Sequence, residues 1–238
     1  MKKKLLILLV LVLLITGCAK KEEKEKEKEV NKDAIAFKYE YEELNGKTNK
    51  AGKEHRTVSI PEDNPYVKVT PEEVVKMLED KKSFHLYVGD ALCPWCRSVI
   101  EESIKVAKEN YIGKIYYIEI WDDDQNEILR DKYELDSKNK PKLVKEGTDA
   151  YKTLLKKFEN VLEDYTLTTD KGKVVKVGEK RIFAPNYFYI VNGEVEGMID
   201  GISERQEDPR GELTEKILLD QKDEFTRIFS TACDEECD

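Results

Sequence analysis

The chain has 238 residues, 38% charged and 39% hydrophobic, with 50 acidic side chains against 41 basic ones and a formal net charge of −9. That length suits one decorated domain, or one domain plus an extension. The acidic excess repels phosphates and argues against nucleic acid as a partner, while serving solubility as an ordinary surface property.

The first residues, MKKKLLILLVLVLLITGC, carry three lysines, an apolar run over 5–15 and then small residues. This is the layout of a secretory signal peptide, and the run is too short for a comfortable membrane span, which disfavours an uncleaved anchor. Ile15-Thr16-Gly17-Cys18 resembles the bacterial lipobox. The resemblance implies removal of 1–17, acylation of Cys18, and a lipoprotein held in the bacterial cell envelope, facing outside the cytoplasm and bound to the membrane through its N-terminal lipid. Residues 20–29 hold five lysines and five glutamates with nothing apolar to bury, so 18–33 is expected to be a charged, disordered tether. Losing the three lysines of 1–17 would take the net charge to −12 and place the acidic excess on the folded part.

A globular composition begins near Ala34. AIAFKYEYEEL alternates apolar and charged residues and predicts a strand, with HRTVSI as a second weak strand, both inside an N-terminal extension over 34–69. Thr70-Pro71-Glu72-Glu73 reads as a helix start, with Thr70 as N-cap, proline at the first position and Glu73 reaching back. SFHLYVGD has the length of a buried strand, and CPWC then opens a helix with Val99, Ile100, Ile104 and Ala107 at helical spacing. KIYYIEIW is another buried strand, so the order is β-α-β-α-β, the grammar of an α/β domain. Within 122–180, NEILRDKYEL and TDAYKTLLKKFENVLEDY read as helices, and Asp170-Lys171-Gly172-Lys173 reads as a hairpin turn. Asn192-Gly193 joins two further strands, because both residues tolerate positive φ. A last helix is expected over 212–231.

Cys93-Pro94-Trp95-Cys96 concentrates the chemistry. At a helix N-terminus, free backbone N–H groups and the helix dipole stabilise a thiolate, so Cys93 is the expected nucleophile. Cys96, three residues on and on the same face, is the expected resolving thiol. Pro94 sits where a missing N–H costs little, and Trp95 is either part of a substrate platform or a packing aromatic. A strand, C-x-x-C opening a helix, then Ala184-Pro185, an NG hairpin and a terminal helix resemble the thioredoxin superfamily over residues 70–238, with an insertion at about 122–180.

That resemblance implies an α/β, thioredoxin-like fold and an extracytoplasmic thiol–disulfide oxidoreductase. Its partners would be protein thiols or disulfides and a membrane or extracytoplasmic redox partner; it needs no bound cofactor. It also implies that Pro185 has a cis peptide bond and helps hold the substrate chain. Many thioredoxins carry a buried acid six residues before the first cysteine. Here that position is Tyr87, and Asp90 falls in the loop, so no general base is named. The Pro-Trp dipeptide leaves the direction of electron flow open.

Cys233 and Cys237, one helical turn apart among acidic residues, are read as a local disulfide or as a second redox pair in relay with the first. A four-cysteine zinc site is disfavoured because 136 residues separate the two pairs, and no metal site is assigned. The non-enzymatic alternative is a binding or accessory lipoprotein that keeps the fold without turnover.

Overall fold

The computed structural model describes residues 31–122 and 126–230. The signal segment, Cys18 and most of the expected tether lie outside the described residues, as do Cys233 and Cys237.

The first described element corrects the sequence reading. AIAFKYEYEEL is not a strand: Lys32–Glu42 is helix α1, and it begins inside the segment expected to be tether. Asn31 caps it by accepting from Asp33 N and Ala34 N, and Ala34, Phe37 and Tyr41 fall on one buried face. The same residues therefore satisfied a helical period as well as the alternation, and burial chose between them. HRTVSI is not a strand either. Side chains satisfy its backbone: Asn45 bonds both the N–H and the carbonyl of Val58, Glu42 accepts from Ile60 N at 2.7 Å, and Glu101 accepts from Ser59 N at 2.9 Å. The first strand comes after Pro65, as β1 (Tyr66–Lys68).

From there the β-α-β-α-β order holds. Helix α2 (Pro71–Glu79) starts with the full capping box of Thr70 and Glu73. Strand β2 (Phe84–Gly89) leads into helix α3 (Pro94–Glu109), and β3 (Ile115–Glu119) follows. NEILRDKYEL is not helical. Glu127 accepts from Arg130 N and holds its guanidinium, folding 127–130 into a local turn. The chain then enters a hairpin of β4 (Lys132–Leu135) and β5 (Pro141–Lys145). Its turn is built by Asp136, whose carboxylate accepts from Lys138 N and Lys140 N, and by Asn139 at φ 56°. The next helix, α4 (Asp149–Lys157), is shorter than expected because the chain turns into β6 (Glu163–Thr168). The hairpin of β6 with β7 (Val174–Arg181) forms as the sequence predicted.

Strands β8 (Asn186–Val191) and β9 (Glu194–Ile199) meet at Asn192-Gly193, both at positive φ, and helix α5 (Glu215–Phe229) closes the described chain. Gly193 is required twice over. Its φ is +79°, and a Cβ there would run into the Leu78 carbonyl, against which the turn docks.

The protein is α/β. One mixed five-stranded sheet has the order β1-β3-β2-β8-β9, with β1, β3 and β2 parallel and β8 and β9 antiparallel. Period-two alternation sends Phe84, Leu86 and Val88 of β2 to one core, shared with α2 and α4. Tyr87 goes to the other core, shared with α1, α3 and α5. Helix α5 docks on α3 through Gln221, whose amide donates to the Ser98 carbonyl at 3.2 Å.

Candidate functional site at the start of helix α3

Strand β2 delivers the chain to the site and Asp90 turns it. One carboxylate oxygen of Asp90 accepts from Leu92 N at 2.8 Å and the other from Trp121 N at 3.0 Å, pinning the turn to the segment after β3. Cys93 N donates to the Asp90 carbonyl. Asp90 is 2% exposed, and burial pushes its carboxyl up to about 7 despite those two hydrogen bonds. Sequence reasoning left Asp90 in a loop without a role. Its place between a buried strand and the cysteine pair was the available signal.

Cys93 is the N-cap of α3, with Pro94 at the first helical position. The Cys93 Sγ accepts from Cys96 N at 3.4 Å, taking the role that Ser or Asp usually has in capping free helical N–H groups. The structure carries both cysteines as free thiols. Their acidities are pushed apart. The hydrogen bond from the Cys96 thiol, helped by the N–H groups of Cys96 and Trp95, holds Cys93 below the usual thiol range against its burial. Cys96 is fully buried, and desolvation together with the neighbouring Cys93 pushes its thiol well up. In such a pair Cys93 is the more readily ionised thiol and Cys96 the less readily ionised one.

The expected third member arrives just before β8, the strand that pairs with β2. Ala184-Pro185 is a cis peptide bond, as the resemblance implied, and the Cys93 thiol donates to the Ala184 carbonyl at 3.4 Å. Asn186 accepts from Phe183 N at 2.6 Å and holds this turn in place. Trp95 is half-buried, packed against the core, and also lines a groove of about 420 Å³ with Phe183, Pro185, Met198 and Ile202. The packing reading of Trp95 therefore holds, and the same side chain also faces the groove. Glu163, Asp200 and Glu224 stand along the same groove.

Arg97, directly after Cys96, is 1% exposed and is held by oxygens that carry no full charge. It donates to the carbonyls of Arg56 (2.8 Å from Nε), Tyr41 (2.8 Å) and Ala91 (3.3 Å), and to Oδ1 of Asn45 (2.8 Å). One guanidinium thus ties the N-terminal segment and the turn before Cys93 to α3. Nothing in CPWCR alone announces that role, because its partners are backbone groups distant in sequence.

Among the described residues, no group of three His, Cys, Asp or Glu side chains is placed to hold a metal ion. Helix α5 ends at Phe229 beside His85, at the end of β2 opposite the cysteine pair. No family model matches the chain, and no curated protein matches it.

Proposed function

We propose that the protein is a thioredoxin-like thiol–disulfide oxidoreductase that works outside the cytoplasm from a lipid anchor on Cys18. One observation carries the reading: Cys93 at once caps α3, receives the Cys96 N–H and faces the Ala184 carbonyl beside Pro185. In the reducing direction, the Cys93 thiolate attacks one sulfur of a substrate disulfide. A Cys93–substrate disulfide forms and the other substrate sulfur leaves as a thiolate. Cys96 then gives up its proton and attacks Cys93, forming the Cys93–Cys96 disulfide and releasing the second substrate thiol. The oxidising direction runs the same steps backwards. No bound cofactor enters either direction. The groove beside Trp95 and Pro185 takes the substrate chain.

Cys96→Ser removes the resolving thiol. Expressed in the envelope of its host, this variant should accumulate proteins disulfide-linked to Cys93, released by reductant. Cys93→Ser should trap none. Equal recovery from the two variants, or none from Cys96→Ser, would sink the proposal.

A further inference from the structure

The groove beside Trp95 has an unbalanced lining. Trp95, Phe183, Pro185, Met198 and Ile202 make it apolar, and its ionisable residues are Glu163, Asp200 and Glu224, three carboxylates with no lysine, arginine or histidine among them. Each comes from a different part of the fold. Glu163 opens β6, inside the segment that lengthens the chain between the cysteine pair and Pro185; Asp200 follows β9, and Glu224 lies in α5. The nearby positive charges are engaged elsewhere. Arg181 is the cross-strand partner of Glu163, yet its side chain is buried, donates to the Asp131 carbonyl at 2.6 Å and lies over the Tyr165 ring at 4.1 Å. Arg227 holds Glu224 at 2.6 Å and offsets that carboxylate. Glu163 and Asp200 are exposed, and among the described residues neither has a cationic partner. Asp200 is held in place by the Ile202 N–H, which donates to one of its oxygens at 2.8 Å.

We propose that Glu163 and Asp200 determine specificity in this groove, which takes polypeptide segments carrying a lysine or arginine beside the reacting cysteine. The inference rests on the thiol–disulfide reading of the pair, and it gives the segment between the cysteine pair and Pro185 a share in choosing the substrate.

The shape of the groove and its charge ask for the same kind of occupant. A lysine or arginine side chain has an apolar stem that lies along an apolar wall and a charged head that stays at the wet rim. The stem fits the Trp95, Pro185 and Ile202 side of the groove, and the head fits the carboxylates. A bare metal ion fits less well, since no three acidic, cysteine or histidine side chains among the described residues come close enough to hold one. Partial loss of water, then the charges of Glu163 and Glu224, push the Asp200 carboxyl above its ordinary value, and a cation seated there would relieve that repulsion. Past Ile202 the surface stays acidic through Glu204, Asp220 and Asp223, with Arg205 bonded to Asp220 at 2.6 Å. A basic segment is therefore attracted along the approach as well as in the groove.

The test uses three short peptides with lysine, alanine or glutamate on both sides of one cysteine, each joined through that cysteine to a small neutral aromatic thiol. The Cys93 thiolate of the reduced protein attacks the peptide sulfur; the Cys93–peptide disulfide forms, the peptide–aryl S–S bond breaks, and the aryl thiolate leaves and is measured. At low salt the lysine peptide should react about tenfold faster than the glutamate peptide, with alanine between them. At about 1 M salt the gap should close to about twofold. In Glu163→Gln/Asp200→Asn the low-salt gap should also fall to about twofold, while the rate with the unattached aromatic disulfide stays within about twofold of wild type. Gln replacing Glu43, Glu62 and Glu79 together, exposed carboxylates outside the groove, removes more charge and should leave the gap unchanged. Equal rates for the three peptides in wild type, a full gap in the double variant, or the same loss in the control variant would overturn the proposal. A second readout needs no exchange. With serine in place of the peptide cysteine, the lysine peptide should shift the indole N–H resonance of isotope-labelled Trp95, and the glutamate peptide should not; Glu163→Gln/Asp200→Asn should abolish the shift. No difference between the peptides there would also overturn it. If the wild-type protein releases no aromatic thiol from any disulfide, the thiol–disulfide reading itself fails, and the Trp95 resonance alone judges the groove.

Discussion

Asp90 offers the sharpest test of the electrostatics at this site. Its carboxyl rises from an ordinary 3.8 to about 7 because burial disfavours the charged form. The sign follows. A carboxyl whose folded-state pKa lies above its unfolded value stabilises the fold in its protonated state, below about 3.8. That stability is lost as pH rises through the folded value near 7. Between about pH 5 and about pH 8 this one group should cost about 2.5 kcal/mol of folding free energy. Asp90→Asn removes the titration. It also spoils one of the two backbone hydrogen bonds, because an amide has a single acceptor oxygen; that offset, about 1–2 kcal/mol, does not depend on pH. Urea denaturation of both proteins at the two pH values isolates the effect. The wild-type-minus-variant difference should change by about 2.5 kcal/mol in favour of the variant as pH rises. A constant difference across that range refutes the assignment of the buried charge to Asp90. The same substitution removes a negative charge that raises the Cys93 thiol, so Cys93 should be alkylated faster in the variant at neutral pH.

Two further outcomes are expected. His85 is 3% exposed, with both ring nitrogens lacking a hydrogen-bond partner, and burial lowers its pKa from 6.5 to about 4. The neutral ring is therefore the folded form, and stability should fall by about 3 kcal/mol as pH drops from about 7 to about 4. His85→Phe, which keeps the ring contacts with Tyr189 and Phe229, should remove that loss in denaturation measured at both pH values; an unchanged acid sensitivity counts against it. Arg97→Ala should destabilise the protein by about 3–5 kcal/mol, because it strands buried carbonyls of Tyr41 and Arg56. Arg97→Lys should restore only part, since an ammonium lacks the planar fork. Limited proteolysis should then cut first within residues 43–60 in both variants, and cuts elsewhere at the same rate would contradict the anchoring role.

What could be read in the sequence was whatever local rules decide. Thr70-Pro71-Glu72-Glu73 announced α2 because all four residues act within one helical turn. Asn192-Gly193 announced β8 and β9 because the turn requires positive φ at those two positions. Cys93 and Cys96 were visible as a pair for the same reason. AIAFKYEYEEL failed because two periods fit it equally, and only contact with Tyr66 and Tyr117 selects the helical one. HRTVSI failed because side chains of Asn45, Glu42 and Glu101 do what a neighbouring strand would do, and none of those bonds is local. NEILRDKYEL failed on the turn chemistry of Asp136 and Asn139, which makes a hairpin of the segment that follows. At the site, Asp90 and Arg97 stayed hidden because their partners, Trp121 N and the Arg56 and Tyr41 carbonyls, are brought to them by the fold alone.

These misses bear on the chemistry. The unequal acidity of the two cysteines depends on Cys93 having helical N–H groups while Cys96 has a dry surrounding. The first condition is local to CPWC. The second is not, because α3 and the sheet alone do not close the core around Cys96. Phe37 of α1 stacks on Tyr66 at 4.2 Å and meets Tyr117 edge-on at 5.1 Å, while Tyr41 covers Tyr87. Without α1 those phenols and the Cys96 side of the pair would face water, and desolvation, the largest influence raising the Cys96 thiol, would weaken. The N-terminal segment is therefore energetically part of the cysteine pair's surroundings, even though both cysteines lie at the start of α3.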